Sequence, residues 1–416
     1  MSVIEKISSE EILDSRGIPT LKTTVTLSNG IIGEACVPGG TSTGTNEALE
    51  LRDGDPNRFN GNGVLKAVEN VVGPIQSSLK GTDSDDQEKI DRTMISLDGT
   101  PNKSKLGANA ILSVSLAVAV STAANQKLQL FEYLRGLTKI STGFAVPTPM
   151  VNLIEGGKHA NSGLDFQEFL VIPTGFMTAK EKLNAVGEVI SKLEVSLKRN
   201  GLDGKLGQEG GFAARFTSNE KAIDFLKKVL EETFKASFFS IGIDVAASTF
   251  YQNGKYKITD IENPLVANDL LDFYKKLQES YNIFSFEDLF EEDFDSWKLA
   301  KQKLSPASIL IADDFTVTNV DLLRKIIADD SIDGVIVKPN QIGTLTETLD
   351  FIEEAIENKL KIIISHRAGE TMDTFISDLA VAVNADFLKA GCPLQKERLA
   401  KYNRLAEIES YLENKQ

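Results

Sequence analysis

Cysteine is nearly absent. Cys36 and Cys392 are the only two in 416 residues, too few and too far apart for a disulfide framework, and they fit a reducing compartment. Histidine is equally scarce, limited to His159 and His366. Positive charge is in deficit: 45 Lys and Arg stand against 60 Asp and Glu, and the net −15 argues against nucleic acid as a partner, which would call for a basic face. No long apolar run is unbroken. The longest, residues 108–124, is interrupted by Asn109, Ser113, Ser115, Ser121 and Thr122, so a buried helix is expected rather than a membrane span. The N-terminus, MSVIEKISSEEI, carries charge throughout and lacks the apolar stretch of a signal peptide. These absences together point to a soluble, cytoplasmic protein with no membrane partner.

What is present is ordinary for a large globular chain, 41% hydrophobic and 25% charged, long enough for two or three domains. Residues 1–138 read as an α+β unit. Segments 3–7, 20–27 and 31–37 alternate apolar and polar as strands do, and Ser28-Asn29-Gly30 is a hairpin turn. Helical periodicity follows at about 62–80, 85–97, 107–125 and 129–136. Between strands and helices lies Pro38-Gly39-Gly40-Thr41-Ser42-Thr43-Gly44, a mobile lid or simply an irregular turn. In residues 139–416 short apolar runs alternate with helical stretches, the α/β texture of a parallel sheet or barrel.

In that second half, one apolar run after another closes on a polar or charged residue: Asp244, Glu287, Asp313, Lys338, His366 with Arg367, and Lys389. From Glu287 onward the spacing is 23–28 residues, close to the roughly 30 of one barrel βα unit, so these groups would converge on one mouth. Asp244, Glu287 and Asp313 supply three hard oxygen ligands suited to magnesium; helix capping is the plain alternative for any one of them. Lys338 ends Gly334-Val335-Ile336-Val337 and is stopped by Pro339 and Asn340. Buried there, an amine can have its pKa lowered and act as a base, where a surface lysine would do nothing. Both histidines sit beside charged groups in glycine-bearing segments. Arg367 and Lys389 add the fixed positive charge that an anionic substrate requires. Glu168 and Glu209 lie in apolar or glycine-rich surroundings, where a carboxyl held protonated could serve as an acid. Base, acid and metal carboxylates together suit proton abstraction beside a carboxylate followed by loss of a leaving group.

At these positions the chain resembles the enolase family over essentially its full length. Residues 335–348, VIVKPNQIGTLTET, are similar to the family signature, and residues 12–17, 47–53, 103–109 and 398–403 match further blocks. The resemblance implies an α+β N-terminal domain, 1–138, on an irregular C-terminal β/α (TIM-like) barrel, 139–416, and a homodimer. It implies Mg2+ on Asp244, Glu287 and Asp313, with a second joining alongside substrate. Lys338 would take the C2 proton of 2-phosphoglycerate, and Glu209 with Glu168 would assist departure of the C3 hydroxyl to give phosphoenolpyruvate. His159, His366, Arg367 and Lys389 align with substrate contacts, and Gly39, Gly40, Thr41 and Ser42 with the lid.

Three departures stand out. Gly39 replaces a serine whose oxygens help to hold the second magnesium. Ala368 replaces a serine that contacts phosphate, and Gln208 replaces an acid beside Glu209. Two other readings remain open: a homologue that dehydrates another hydroxy acid, and a non-catalytic binding protein, although the lysine, the acid pair and the metal carboxylates are all retained.

Overall fold

The computed structural model describes residues 2–40, 46–202, 204–291 and 293–415. It opens with an antiparallel sheet of β1 (Ile4–Leu13), β2 (Pro19–Leu27) and β3 (Ile32–Cys36). β1 is longer than the expected 3–7. Its second half, through Ser8, Ser9, Glu10 and Glu11, pairs with β2 as far as Leu13↔Pro19 but has too few apolar residues to alternate visibly. β2 shows the alternation in full, with every second residue buried along Thr23–Leu27.

The helix Ala108–Asn125 packs on β2 and β3. Its small residues let the backbones touch. A Cβ on Gly33 would stand 2.2 Å from the Ser121 nitrogen and 2.6 Å from the Ala117 oxygen, so β3 needs glycine there. The hydroxyls that interrupt the apolar run are its polar ties: Ser113 Oγ lies 2.7 Å from Thr23 Oγ1, and Thr122 donates to the Ser84 carbonyl at 2.9 Å. The helix is long and apolar enough to cross a membrane, but it is buried within the protein as a core helix is.

The second half is a barrel. Its strands, in chain order, are β4 (Thr148–Glu155), β5 (Glu168–Ile172) and β6 (Ser240–Asp244), then, past a small hairpin of β7 (Tyr251–Gln252) and β8 (Lys255–Tyr256), β9 (Ser285–Glu287), β10 (Ile309–Ala312), β11 (Gly334–Val337), β12 (Lys361–Ser365) and β13 (Phe387–Lys389). Eight of these close in the order β10-β11-β12-β13-β4-β5-β6-β9. β5 runs antiparallel to both neighbours, while the other barrel pairs are parallel. The barrel is therefore irregular in one strand.

Met150, Leu170, Ile172, Ile311, Ile336, Ile363 and Phe387 form an apolar plug of their own. Side chains of a strand share a face every second residue. Two positions along from these plug residues come Asn152, Glu168, Asp313, Lys338, Ser365 and Lys389, which places the polar groups on the same inward face, one layer nearer the mouth.

The two halves are joined by buried polar bonds. Asp91, in the helix Gln87–Asp98, accepts from the backbone nitrogen and hydroxyl of Thr346 at 2.9 and 2.7 Å, and the Leu345 nitrogen donates to Ser115 Oγ at 3.0 Å. Burial pushes Asp91 up to about 6 despite the hydroxyls that hydrogen-bond to it.

Candidate active site

Strand register creates the site. Glu155 on β4 pairs with Glu168 on β5, Glu168 with Asp244 on β6, and Asp244 with Glu287 on β9, so four acids stand in one row across four adjacent strands. Like charges directly opposite one another repel. The row is held by a cation from across the barrel: Lys389 Nζ lies 3.2 Å from Glu168, 3.1 Å from Asp244 and 2.8 Å from Glu287. Burial opposes its charge, but Asp244, Glu168 and Glu287 hold it well above the ordinary lysine range. Lys389 therefore clamps the carboxylates in this state. Glu287 itself is raised to about 8, first by burial and then by Asp244.

Asp313 follows β10 and forms an ion pair with Lys338, which follows β11. Burial alone would lower the lysine, as the sequence led us to expect, but the Asp313 charge outweighs it and Lys338 is raised. The expectation of a depressed pKa is corrected on that ground: a partly buried ammonium beside a carboxylate keeps its proton. The second Asp313 oxygen accepts from Gln341 Nε2 at 3.1 Å.

Cation chemistry fits these acids. Asp244 Oδ1 is buried and has no hydrogen-bond partner among the described residues. Unpartnered buried carboxylate oxygens are costly unless a cation meets them. Of the three expected metal ligands, only Asp313 falls in a compact acidic group among the described residues, with Asp288 and Asp314, whose oxygens lie within 4.8 Å of one another, while Asp244 and Glu287 are drawn together by Lys389 instead. Asp288 accepts the backbone N–H groups of Asp313 and Asp314 at 2.9 and 3.0 Å, and so shapes the turn that presents Asp313.

Glu209 lies on the loop after the helix Ala179–Arg199 and is placed by Glu155. The Glu155 Oε1 atom accepts the N–H groups of Glu209 at 3.0 Å and Gly211 at 2.7 Å. A Cβ on Gly207 would come within 1.8 Å of Glu155 Oε2, so the loop must carry glycine to wrap this carboxyl. Glu209 Oε2 accepts from Asn152 at 3.3 Å and lies 3.5 Å from His366 Nε2, and its Oε1 lies 3.4 Å from His159 Nδ1. Burial would raise Glu209, but the two imidazoles beside it hold it well below the carboxylate range. Glu168 goes the other way, held well above that range by burial and by the Glu209 charge. Two neighbouring carboxyls thus divide into one that keeps its proton and one that gives it up. His366 is pushed down to about 4, chiefly by burial and further by the Arg398 guanidinium, against the pull of Glu209.

A cavity of about 280 Å³ opens over these groups, lined among others by Lys338, Glu168, Glu209, both histidines, Asp244, Asp313, Arg367 and Lys389. Glu287, 1% exposed, meets it through Lys389. Ala368 lies on the same wall. Arg367 pairs with Glu47 at 2.9 Å, an acid of the first unit that reaches into the barrel mouth. Gly39 and Gly369 exchange backbone hydrogen bonds, N–H of each to the carbonyl of the other, at 2.8 and 2.9 Å. Arg16 also donates to the Gly39 carbonyl at 3.1 Å, so both lone pairs of that oxygen are engaged in this conformation. The Gly40 nitrogen donates to Glu50 at 2.9 Å. Thr41 and Ser42, expected to form the rest of the lid, lie outside the described residues.

Sequence reasoning missed Glu47, Asn152, Glu155, Asp288 and Arg398. Glu155 was detectable, since Met150-Val151-Asn152-Leu153-Ile154 is an apolar run that closes on an acid as the others do.

Comparison with known proteins gives one result along the whole chain. Residues 4–134 match the family model "Enolase, N-terminal domain" and residues 143–416 match "Enolase, C-terminal TIM barrel domain". A protein named "Enolase" from a Nitratiruptor species is 45% identical over 412 residues, which covers 98% of this chain and 97% of that relative.

Proposed function

The chain belongs to the enolase family, and from that premise we propose that it is a phosphopyruvate hydratase, a lyase that reversibly dehydrates 2-phosphoglycerate to phosphoenolpyruvate, with Lys338 as its base and Glu209 and Glu168 as its acid pair. The observation that carries this reading is the lining of a single cavity by a partly buried lysine and by two carboxyls of opposite protonation tendency. Asp244, Glu287 and Asp313 would hold a magnesium ion, which when bound would supply the positive charge at the substrate carboxylate that makes the neighbouring C–H acidic enough to lose. Asp313 is the charge that raises Lys338; with that carboxylate committed to a cation, Lys338 would hold its proton less tightly and release it to solvent, and its neutral amine would then take the C2 proton. The C3 hydroxyl then leaves as water with a proton from the acid pair, and the C2–C3 double bond forms from the electrons of the broken C–H bond. Glu168, which keeps its proton in the resting site, is the reservoir, and Glu209, within 4.8 Å of it, is the carboxyl placed between the two histidines.

Arg367 and Lys389 balance the anionic substrate, and His159 and His366 complete its surroundings. Gly39 and Gly40 are the root of the lid. The same reading makes the protein a cytoplasmic homodimer, divided at 138/139 into a capping α+β domain and the catalytic barrel. Ala368 favours one second reading, a homologue that acts on a different hydroxy acid, because its methyl group offers phosphate nothing to bond.

The test is formation of phosphoenolpyruvate from 2-phosphoglycerate by the purified protein across a magnesium titration, with Lys338→Ala alongside. Turnover that depends on the metal and is lost in the variant is expected. No turnover above the variant's would sink the assignment, and a panel of other hydroxy acids would then decide the second reading.

A further inference from the structure

Arg398 belongs to the helix Lys396–Glu413 and its side chain is wholly buried, yet no carboxylate among the described residues accepts its hydrogen bonds. Nε donates to Gln395 Oε1 at 3.3 Å, Nη1 to His366 Nδ1 and to the Arg367 carbonyl at 2.7 Å, and Nη2 to the carbonyls of Gln208 at 3.2 Å and Ala368 at 2.7 Å. A guanidinium has five N–H donors and no acceptor. All five are thus used, and one of them ends on an imidazole nitrogen.

We propose that Arg398 is a positioning residue that fixes the tautomer of His366, forcing Nδ1 to accept and leaving the proton on Nε2, which faces Glu209. The argument is one of valence. Guanidinium stays protonated throughout the physiological range, so the hydrogen in the Arg398–His366 bond belongs to arginine and Nδ1 must offer its lone pair. An imidazolium, with N–H on both nitrogens, cannot make this bond, so the ring is neutral and carries its proton on Nε2, 3.5 Å from Glu209 Oε2. Catalytic hydrogen bonds of that length commonly tighten when substrate binds. The ring has little freedom to turn. His366 is 2% exposed, its backbone nitrogen is tied to the Lys389 carbonyl at 2.9 Å, and Gly391, with φ +75°, passes so close that a Cβ there would stand 3.0 Å from His366 Cε1. Through the Gln208 carbonyl the same guanidinium also holds the residue next to Glu209, so one side chain sets both the donor and the segment of its acceptor.

This inference rests on Glu209 acting as an acid of the reaction, but it is read by a measurement that does not use turnover. With only two histidines in the chain, selective 15N-histidine labelling of the full protein gives two imidazoles, assigned by His366→Gln. Expected for His366 at neutral pH are a protonated Nε2, an unprotonated Nδ1 and a scalar coupling from Nδ1 to an arginine Nη in uniformly labelled protein. Arg398→Lys, which keeps a cationic donor, should preserve the tautomer. Arg398→Met should give an averaged tautomer and a kcat lower by about 100-fold, with KM changed by less than about threefold. A proton on Nδ1, or on both nitrogens, in the unmodified protein overturns the proposal even if both variants fail to fold. The expected spectrum without any turnover would uphold the tautomer and defeat the enzymatic reading instead.

Discussion

Replacing Glu155 by glutamine isolates one titration that the fold has to carry. The Glu155 side chain is 0% exposed, and its carboxyl sits at about 8, raised first by burial and then by Glu209. A group that holds its proton more tightly when folded stabilises the native state fully at low pH, and that contribution is lost as the pH rises from its unfolded value near 4.5 through about 8. At 1.36 kcal/mol per pH unit, stability attributable to this group falls by on the order of 3 kcal/mol between about pH 5 and about pH 8. Glutamine keeps Oε1, the oxygen that accepts from Glu209 and Gly211, and never ionises. Urea unfolding followed by circular dichroism at both pH values should therefore show a flatter pH dependence for Glu155→Gln, by about that amount. Parallel curves would refute the reasoning, since another group would then own the titration. Glu155→Ala should be worse at every pH, because it leaves two buried N–H groups without an acceptor, at about 1–3 kcal/mol each.

Three further outcomes follow from the site. Ala368→Ser places a hydroxyl on the cavity wall beside Arg367 and should lower KM for 2-phosphoglycerate by roughly 10–150-fold, the worth of one hydrogen bond to a charged group; an unchanged KM would mean that position 368 does not face the phosphate. Gly207→Ala drives a methyl against Glu155 and displaces Glu209, so steady-state kinetics should show kcat down by about 100-fold, with a circular dichroism spectrum like that of the unmodified protein. Magnesium should raise the unfolding midpoint, by about 2.7 kcal/mol of added stability at a hundred times its dissociation constant, and Asp244→Asn should abolish the response. A midpoint indifferent to both magnesium and chelator would mean that the acidic row holds no cation.

Much of this site was legible because strands impose a period. Asp244, Glu287, Asp313, Lys338 and Lys389 each end or directly follow a buried run, and the sequence displays that rhythm without any knowledge of the barrel. Glu168 broke the rule: it begins its strand, because β5 is reversed, and nothing in Phe169-Leu170-Val171-Ile172 announces direction. Arg398 was silent for a different reason. Three of its five acceptors are backbone carbonyls, which have no residue identity to read, and the imidazole it meets lies 32 residues away in the chain. Lys338 was placed correctly and its proton affinity misjudged, since burial is visible as an apolar run whereas the opposing charge of Asp313 sits 25 residues away.

The reversal of β5 also orders the assembly of the chain in time. β4 and β5 form an antiparallel pair closed by residues 156–167 alone, so Glu155 and Glu168 can meet through a short loop. Sealing the barrel requires β13 to reach β4, a separation of about 240 residues, with the loop-closure entropy and slowness that such distance brings. Pulsed hydrogen exchange during refolding should find the amides of β4 and β5 protected before those of β13. Half of the acidic row is then assembled while Lys389, the cation that neutralises it, is still unfolded, and the nascent hairpin must hold its carboxyls protonated or solvated until the last strand arrives.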